Sequence, residues 1–240
     1  VTKANVPIGD SRYDGLQTQV TKRFSHGVSM SFAYTISKKL GHFGYANSFD
    51  NFLEKTYETY DIPQNFVANG SWEMPWGKKR WAWTTMPGWL DHIIGGWQIN
   101  WMIRVSSGRP YQLAADTIPV AGVDPNDVPG GQRLDQLINR AAYTLNTNPY
   151  APRRWYTVTG RLREPPTHNF DLGIMKNFRI TERVKFQFIN NWVNAFNTPQ
   201  WYGSTGNCNS ASKSCFGQIA GYQNQSNYPR QIQFAGRISF

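Results

Sequence analysis

Seven segments of the chain alternate between apolar and polar residues with a period of two, the pattern of a β-strand with one apolar face. In the clearest of them, apolar or aromatic side chains from Val28 to Ile36 alternate with small or polar ones from Ser29 to Ser37. The predicted strands are Tyr13–Phe24, Val28–Ser37, Asn65–Trp76, Trp97–Ser106, Asn169–Phe178, Val184–Phe196 and Arg230–Phe240. We therefore predict an all-β, antiparallel fold.

The connections between these segments alternate between two lengths. The short ones are residues 25–27, 77–95 and 179–183, and the long ones are 38–64, 107–168 and 197–228. A soluble β-sandwich would also alternate along its strands, but it has no reason to collect its long loops at one end. Outer-membrane barrels have short periplasmic turns and long extracellular loops. The pattern thus predicts a transmembrane barrel in the bacterial outer membrane, with its C-terminus in the periplasm.

The last strand carries a further signal. Its apolar face consists of Ile232, Phe234, Ile238 and the terminal Phe240. A final strand that stops on an aromatic residue resembles the C-terminal assembly signal of Gram-negative outer-membrane barrels, which implies the barrel assembly machinery as a partner. Three basic residues share the nominally lipid-facing parity: Lys22, Lys176 and Arg230. We expect all three to reach lipid head groups by snorkelling.

Composition agrees with this prediction. The chain lacks the ~20 consecutive apolar residues of a membrane-spanning helix, and the low average hydropathy is compatible with alternating barrel strands. Aromatic residues make up 15% of the chain, which suits aromatic girdles at both membrane interfaces. The formal net charge is +10, but the basic residues are scattered and match no nucleic-acid motif. We expect the basic residues to face lipopolysaccharide or the barrel lumen, and not to bind nucleic acid.

The N-terminal residues and the two cysteines indicate a fragment of an exported protein. The first ten residues lack the apolar region of a secretion signal and are predicted to be a loop. Cys208 and Cys215 lie seven residues apart in a turn-rich segment. In an oxidising compartment this spacing predicts a disulfide at the tip of the last long loop. Two free thiols are the alternative.

No enzyme motif stands out in the sequence. The four histidines show no metal-ligand spacing, and we find neither a phosphate loop nor a nucleophile elbow. We therefore expect no catalytic residue, metal or cofactor. The best binding candidate is the run Arg153, Arg154, Trp155 and Tyr156, which suits sugar faces, aromatic ligands or carboxylates. The alternative is a loop that packs on itself or on lipopolysaccharide.

A second set of candidates lies on the polar side of the predicted strands. Its members carry charges that face the barrel lumen: Arg104, Lys185, Arg237, Glu73 and Asp171. We expect these charges to pair with each other or with a plug domain. A lane for a cationic substrate is the alternative.

Several stretches together resemble one family. They are Ser11–Gly27 with Tyr34–Lys38, Phe66–Lys78, Gly95–Ile99 with Ser107–Pro110, Asn169–Leu172 with Lys176–Glu182, Asn194–Asn197 and Pro229–Phe234. Their order and spacing are similar to the late barrel of Oar-like TonB-dependent transporters, which are common in Acidobacteria and related groups. The resemblance covers most of the chain except the long loops.

The resemblance implies a 22-stranded barrel with an N-terminal plug, energised through a periplasmic TonB-type coupling protein. Residues 1–240 would then be the last seven strands of a single barrel domain, with the plug and the earlier strands absent. The implied function is energy-coupled uptake of a bulky, scarce solute across the outer membrane. A passive porin, or a surface adhesin that binds through its long loops, is the alternative.

Overall fold

A computed structural model describes residues 9–42, 44–77, 87–133, 135–148, 150–201, 208–219 and 227–240. It contains one large antiparallel sheet, here called the main sheet, to which all seven predicted strands belong. Its strands are β1 (Asp10–Ser25), β2 (Val28–His42), β3 (Lys55–Tyr57), β4 (Gln64–Glu73), β5 (Trp97–Ser106), β10 (Thr167–Arg179), β11 (Lys185–Val193) and β12 (Gln231–Ser239). The remaining elements are α1 (Gly88–Ile94), β6 (Pro110–Gln112), β7 (Thr117–Pro119), a 3-10 helix (Arg140–Ala142), β8 (Tyr143–Leu145) and β9 (Val158–Arg163).

The main sheet follows the chain order β1-β2-β4-β5-β10-β11-β12, with the short β3 added to β2. Among the described residues, β1 pairs only with β2 and β12 only with β11, so the sheet is open. Every residue of both outer strands is exposed. The all-β antiparallel prediction is confirmed, and the seven strands form an unclosed wall.

The pairing register keeps most apolar side chains of the strands on one side of the main sheet, with exceptions such as Met102 and Ile189. One row across the wall pairs Val20 with Phe32, Phe32 with Ala68, Ala68 with Ile103 and Ile103 with Phe170. A slip of one residue would move a whole strand's apolar side chains to the other face, so the common register is strong evidence for the assignment. We call this side the apolar face and the other side the polar face.

The apolar face exposes large hydrophobic side chains, which is unfavourable in water. Leu16, Val20, Phe234 and Ile238 each expose more than 60% of their surface. Contiguous apolar patches of this kind mark contact with lipid or protein. Asn190 is a polar residue on this apolar face, and its buried side-chain oxygen has no hydrogen-bond donor among the described residues.

The polar face is held by hydrogen bonds between neighbouring strands. The hydroxyl groups of Ser29 and Ser71 lie 3.1 Å apart, and Gln187 Nε2 donates to Asn177 Oδ1 at 3.0 Å. A wall with one apolar and one hydrogen-bonded polar side matches the two faces of a membrane barrel strand.

The two ends of the wall differ in their connections. One end, the short-turn end, holds the turns at 26–27 and 180–184, the connection 74–96 that contains α1, and the end of β12. The other end, the long-loop end, holds the connections 43–63, 107–166 and 194–230. The two longest connections lie at the long-loop end, as predicted, but the contrast in length is not complete, because the connection 74–96 has 23 residues and the connection 43–63 has 21.

Several strand ends differ from the prediction. β2 continues to His42 and not only to Ser37, β4 stops at Glu73 and not at Trp76, and β11 stops at Val193 and not at Phe196. After Val193 the chain turns, because Asn194 adopts a φ of 51° and its side chain bonds to the backbone of Thr198 and Tyr228. Asparagine tolerates this left-handed conformation better than most residues.

The long connections form a folded unit above the wall. A hydrophobic cluster, the loop core, joins residues from the second and third long connections: Tyr111, Leu113, Leu137, Ile138, Leu162, Phe216 and Ile219. Tyr143 packs against it, and burial raises the pKa of its hydroxyl to about 12. The largest buried cluster of the described chain therefore lies in its loops, because the apolar side chains of the wall point outward.

At the short-turn end, Lys176 differs from its prediction. It was expected to snorkel to head groups, but it is only 3% exposed and donates hydrogen bonds to carbonyl oxygens of the α1 segment. No helix among the described residues has the length and apolarity needed to cross a membrane. The loop predicted at the N-terminus lies mostly in residues 1–8, which are outside the described residues. Residues 78–86 of the predicted connection 77–95 are outside them as well.

Candidate ligand site among the long loops

The Arg153 side chain ties the first two long connections together. Its guanidinium forms a bidentate pair with Glu54, at 2.5 and 3.1 Å, and both side chains are largely buried. The backbone N–H of Arg153 also donates to Asn47 Oδ1 at 2.7 Å, and its Nη1 donates to the carbonyl of Trp155. Bidentate pairs of this kind fix geometry as well as charge. The loop assembly thus occupies the donors of Arg153, although Arg153 and Glu54 also line the cleft described next, so a ligand contact by Arg153 stays a prediction.

A second ion pair anchors this loop assembly to the wall. Asp61 is 1% exposed, accepts from the backbone N–H of Lys39 in β2 at 2.6 Å and pairs with Arg163 in β9 at 2.7 Å. Next to it, the Lys39 ammonium pairs with Glu58 at 2.5 Å. Burial alone would raise the pKa of Glu58, but hydrogen bonds from Lys39 and Ser11 outweigh it and lower that pKa. The loops are thus fixed to the strand ends.

The rest of the predicted run lines an open cleft next to Arg153. The cleft has a volume of about 600 Å³ and lies between residues 46–55 and 152–156. Phe49 and Phe52 are each more than 70% exposed on one side, and Tyr156 is 54% exposed on the other. We call it the aromatic cleft, and its side chains are Phe49, Asp50, Phe52, Leu53, Lys55, Arg154, Trp155 and Tyr156. Aromatic faces with a cation beside them suit flat, polar-edged solutes.

Trp155 adds an unusual feature to this cleft. Its indole N–H is buried and finds no acceptor among the residues that the structure describes. A buried donor without a partner costs about 1–3 kcal/mol. Trp155 and Tyr156 line the cleft, Arg154 is exposed at its edge, and their binding role stays a prediction.

The predicted lumen-facing charges do lie on the polar face, but they are not gathered in one place. Glu73, Lys185 and Arg237 sit near the short-turn end, where Lys185 pairs with Ser239 of β12. Asp171 accepts a hydrogen bond from the backbone N–H of Asn194 at 2.8 Å and so fixes the turn after β11. Asp171 thus has a structural contact, and its role as a lumen charge stays a prediction.

Arg104 lies near the other end and lines a cavity of about 490 Å³ at the long-loop end. Arg109, Glu164, Asn169 and Trp201 line the same cavity. The guanidinium of Arg109 stacks over the ring of Tyr60 at 5.0 Å. This cavity joins the polar face to the loop assembly, and its lining mixes polar and charged groups with apolar side chains such as Ile62 and Met102.

The predicted disulfide between Cys208 and Cys215 is confirmed. It closes a short loop whose neighbours, Phe216 and Ile219, belong to the loop core. The hydroxyl of Tyr111 donates to the carbonyl of Cys208 at 3.1 Å, which connects the closed loop to β6.

Replacing both cysteines by serine should loosen this segment. Closing a loop of this length contributes roughly 2–3 kcal/mol by restricting the unfolded chain. We expect faster amide exchange in residues 208–219, measured by mass spectrometry on the intact protein. The variant Ser214→Ala, in the same loop, is the control. Unchanged exchange in the double variant would show that the loop core alone holds the segment.

The four predicted assembly residues occupy the outer edge of the wall. Ile232, Phe234 and Ile238 lie on the apolar face of β12, and Phe240 follows the strand and is 98% exposed. Sequence reasoning missed Phe49, Phe52 and the partner of Arg153, Glu54. The only signal for the two phenylalanines was their presence, three residues apart, in a polar segment without alternation.

Comparison with known proteins agrees with a barrel wall that has one apolar and one polar face. A family model described as an outer membrane beta barrel domain matches residues 2–233. No curated protein and no solved structure matches the chain. Because the match covers nearly the whole chain, the chain belongs to this family of outer-membrane β-barrel domains, and the bacterial outer membrane is its location.

Proposed function

Because the chain belongs to the outer-membrane β-barrel family, we propose that it forms the last part of a TonB-dependent transporter which takes up a bulky, scarce solute. The aromatic cleft would capture the solute outside the cell, and the polar face would line the route inward. The observation that carries this proposal is the fixed loop assembly, which presents a preformed cleft of about 600 Å³ above the polar face. Preformed concave sites with few polar groups are typical of ligand binding.

The direction of the outer strands supports a larger barrel. β1 and β12 both run from the long-loop end to the short-turn end, so they would meet parallel, whereas these barrels close by antiparallel pairing. Two open edges in lipid would leave backbone groups unsatisfied at several kcal/mol each. We therefore propose that further strands complete a 22-stranded barrel around a plug.

The proposed orientation and partners follow from the same barrel. The long loops face outward towards lipopolysaccharide, and the short turns face the periplasm, where the plug would meet the TonB-type coupling protein. The apolar face contacts outer-membrane lipid, and β12 is the strand that the barrel assembly machinery would engage. We propose no catalytic role for the domain.

Channel conductance separates this function from a passive porin. The intact protein is inserted in a planar bilayer in concentrated KCl, and the current is recorded. We expect a closed baseline, because a plug fills the lumen of large barrels. A stable open conductance would favour the porin and contradict active uptake.

Binding tests the cleft itself. The double variant Phe49→Ala and Phe52→Ala removes two exposed rings, and the loss of stacking should weaken binding by about tenfold. The measurement is calorimetric titration of the intact protein with maltoheptaose, cellohexaose, xylohexaose and laminarihexaose in turn. Tyr150→Ala is the control, because Tyr150 is a highly exposed aromatic residue of the second long connection, which contributes Trp155 and Tyr156 to the cleft, and it lies outside the cleft lining. Equal affinities of both variants for every oligosaccharide that binds would remove the cleft from the proposal.

A further inference from the structure

The helix α1 lies at the short-turn end of the wall, and its side chains divide into two groups. At 100° per residue, the apolar residues Trp89, Leu90, Ile93 and Ile94 share one arc of the helix, while Asp91 and His92 occupy the other. No residue of the helix is buried, and Trp89 and Ile93 are 67% and 60% exposed. The helix is therefore amphipathic, and on its apolar side Trp89 and Ile93 are mostly exposed, whereas Leu90 and Ile94 are partly covered.

The C-terminal end of α1 is held on the apolar face of the main sheet. The Lys176 ammonium donates to the carbonyl oxygens of Ile93 and Gly95, at 2.7 and 2.9 Å. The indole N–H of Trp97 also donates to Ile93 at 2.9 Å. Lys176 and Trp97 are paired neighbours that point to the same side as Leu172 and Ile174. The last turn of the helix thus lies over the lipid-facing side of the wall.

The Lys176 contacts also explain how a charge is accommodated on that face. Its ammonium lies 4.7 and 5.0 Å from the ring centres of Trp97 and Phe178. The negative end of a helix dipole and two aromatic faces both favour a cation. Gly96, with a φ of 76°, lets the chain turn back into β5 directly after the helix, and a side chain there would collide with Asn177.

The polar arc of α1 points the other way. Asp91 and His92 line a cavity of about 530 Å³ together with Asn177, Arg179 and Lys185, which belong to the polar side of β10 and β11. With its polar side toward the rim of the lumen, the helix presents Trp89 and Ile93 on the side continuous with the lipid-facing surface. Trp97, Phe178, Phe186 and Ile238 form the end of that surface next to the helix.

We propose that α1 is an interfacial helix whose apolar side inserts into the phospholipid leaflet at the short-turn end, with Lys176 as the clamp that holds it there. Amphipathic helices bury their apolar side ~5–10 Å into the boundary between head groups and acyl chains. Tryptophan is favoured at that depth. The helix would extend the contact of the barrel with the leaflet beyond the strand ends. This inference rests on membership of the barrel family and does not depend on active transport.

The test is a fluorescent probe on the helix of the intact protein. The variant Ile93→Cys is labelled with a nitrobenzoxadiazole dye, since Cys208 and Cys215 are closed in a disulfide, and the unsubstituted protein gives the labelling background. The labelled protein is placed in phosphatidylethanolamine–phosphatidylglycerol vesicles that contain a lipid with a shallow doxyl quencher. Given the expected depth of ~5–10 Å, quenching at position 93 should be roughly threefold stronger than for a probe at His92→Cys. Equal quenching at both positions would overturn the proposal.

Two further variants test the clamp. Lys176→Met should reduce lipid quenching at position 93 and increase quenching by aqueous iodide, because the helix loses its attachment. Lys22→Met is the matched control, since Lys22 has the same parity near another short turn and lies on the exposed strand β1. Heat-modifiable mobility on gels confirms that each variant is folded. If Ile93→Cys does not fold, Trp89→Cys takes its place. An unmoved probe in Lys176→Met would refute the role of the clamp.

Discussion

Replacing Asp61 by alanine is expected to release the loop assembly from the wall and to lower the free energy of unfolding by about 3–5 kcal/mol. The carboxylate is almost fully buried and holds the Arg163 guanidinium and the backbone N–H of Lys39 at the same time. Its removal leaves Arg163 without its charge partner in a part-buried site. Breaking a buried pair in this way is far more damaging than deleting both partners.

The measurement combines denaturant unfolding of the intact protein with limited proteolysis of residues 43–63 and 107–166. The matched control is Asp14→Ala, because Asp14 pairs with Arg12 on the surface of β1, where both side chains are more than half exposed. A pair of that kind contributes about 0–1 kcal/mol. Similar losses in the two variants would show that the Asp61 network does not anchor the loops.

The strands of the main sheet are the part of the fold that the sequence predicted best. The strands were predictable because a period of two places every apolar residue of a strand on one side. Val20, Phe32 and Ile103 follow that rule independently, and the register then joins them in one row. The end of β11 was missed because the backbone of Asn194 turns although the alternation continues to Phe196.

The loop assembly was not predictable by the same reasoning. Tyr111, Ile138 and Phe216 pack together, although they come from three places in the chain with no common period. Arg153 and Glu54 are 99 residues apart in sequence, so nothing local marks them as partners. Prolines in the long connections indicated loops, but the strands β6, β7 and β8 each contain only three residues, too few to show alternation.

The residues of the candidate site were also predictable only in part. Aromatic residues next to arginines correctly indicated where Trp155 and Tyr156 would line a cleft. The sequence could not tell which arginine would be free, because that depends on Glu54 and Asn47 in another loop. Lys176 was assigned to the right face, but the helix that covers it is only seven residues long and has too few turns for a strong periodic signal.

Two adjacent residues of the central strand β5 allow the assignment of faces to be tested directly. Ile103 lies on the apolar face, between Ala68 and Phe170, whereas Met102 lies on the polar face, between Asn69 and Asp171. Both are apolar side chains at nearly the same height in the wall, so they differ mainly in what they face. An arginine at either position therefore introduces the same charge into different surroundings.

Ile103→Arg is expected to destabilise the intact protein in a lipid bilayer by about 2–4 kcal/mol, the cost of a lipid-facing arginine near the bilayer midplane. Met102→Arg should change stability little, because its charge would meet water and the polar side chains beside Asp171. Urea unfolding in phospholipid vesicles, followed by heat-modifiable mobility on gels, measures both variants. The comparison requires the bilayer, because only contact with lipid distinguishes the two faces. Equal losses would contradict lipid contact, and a larger loss for Met102→Arg would mean that the wall faces the membrane with its other side.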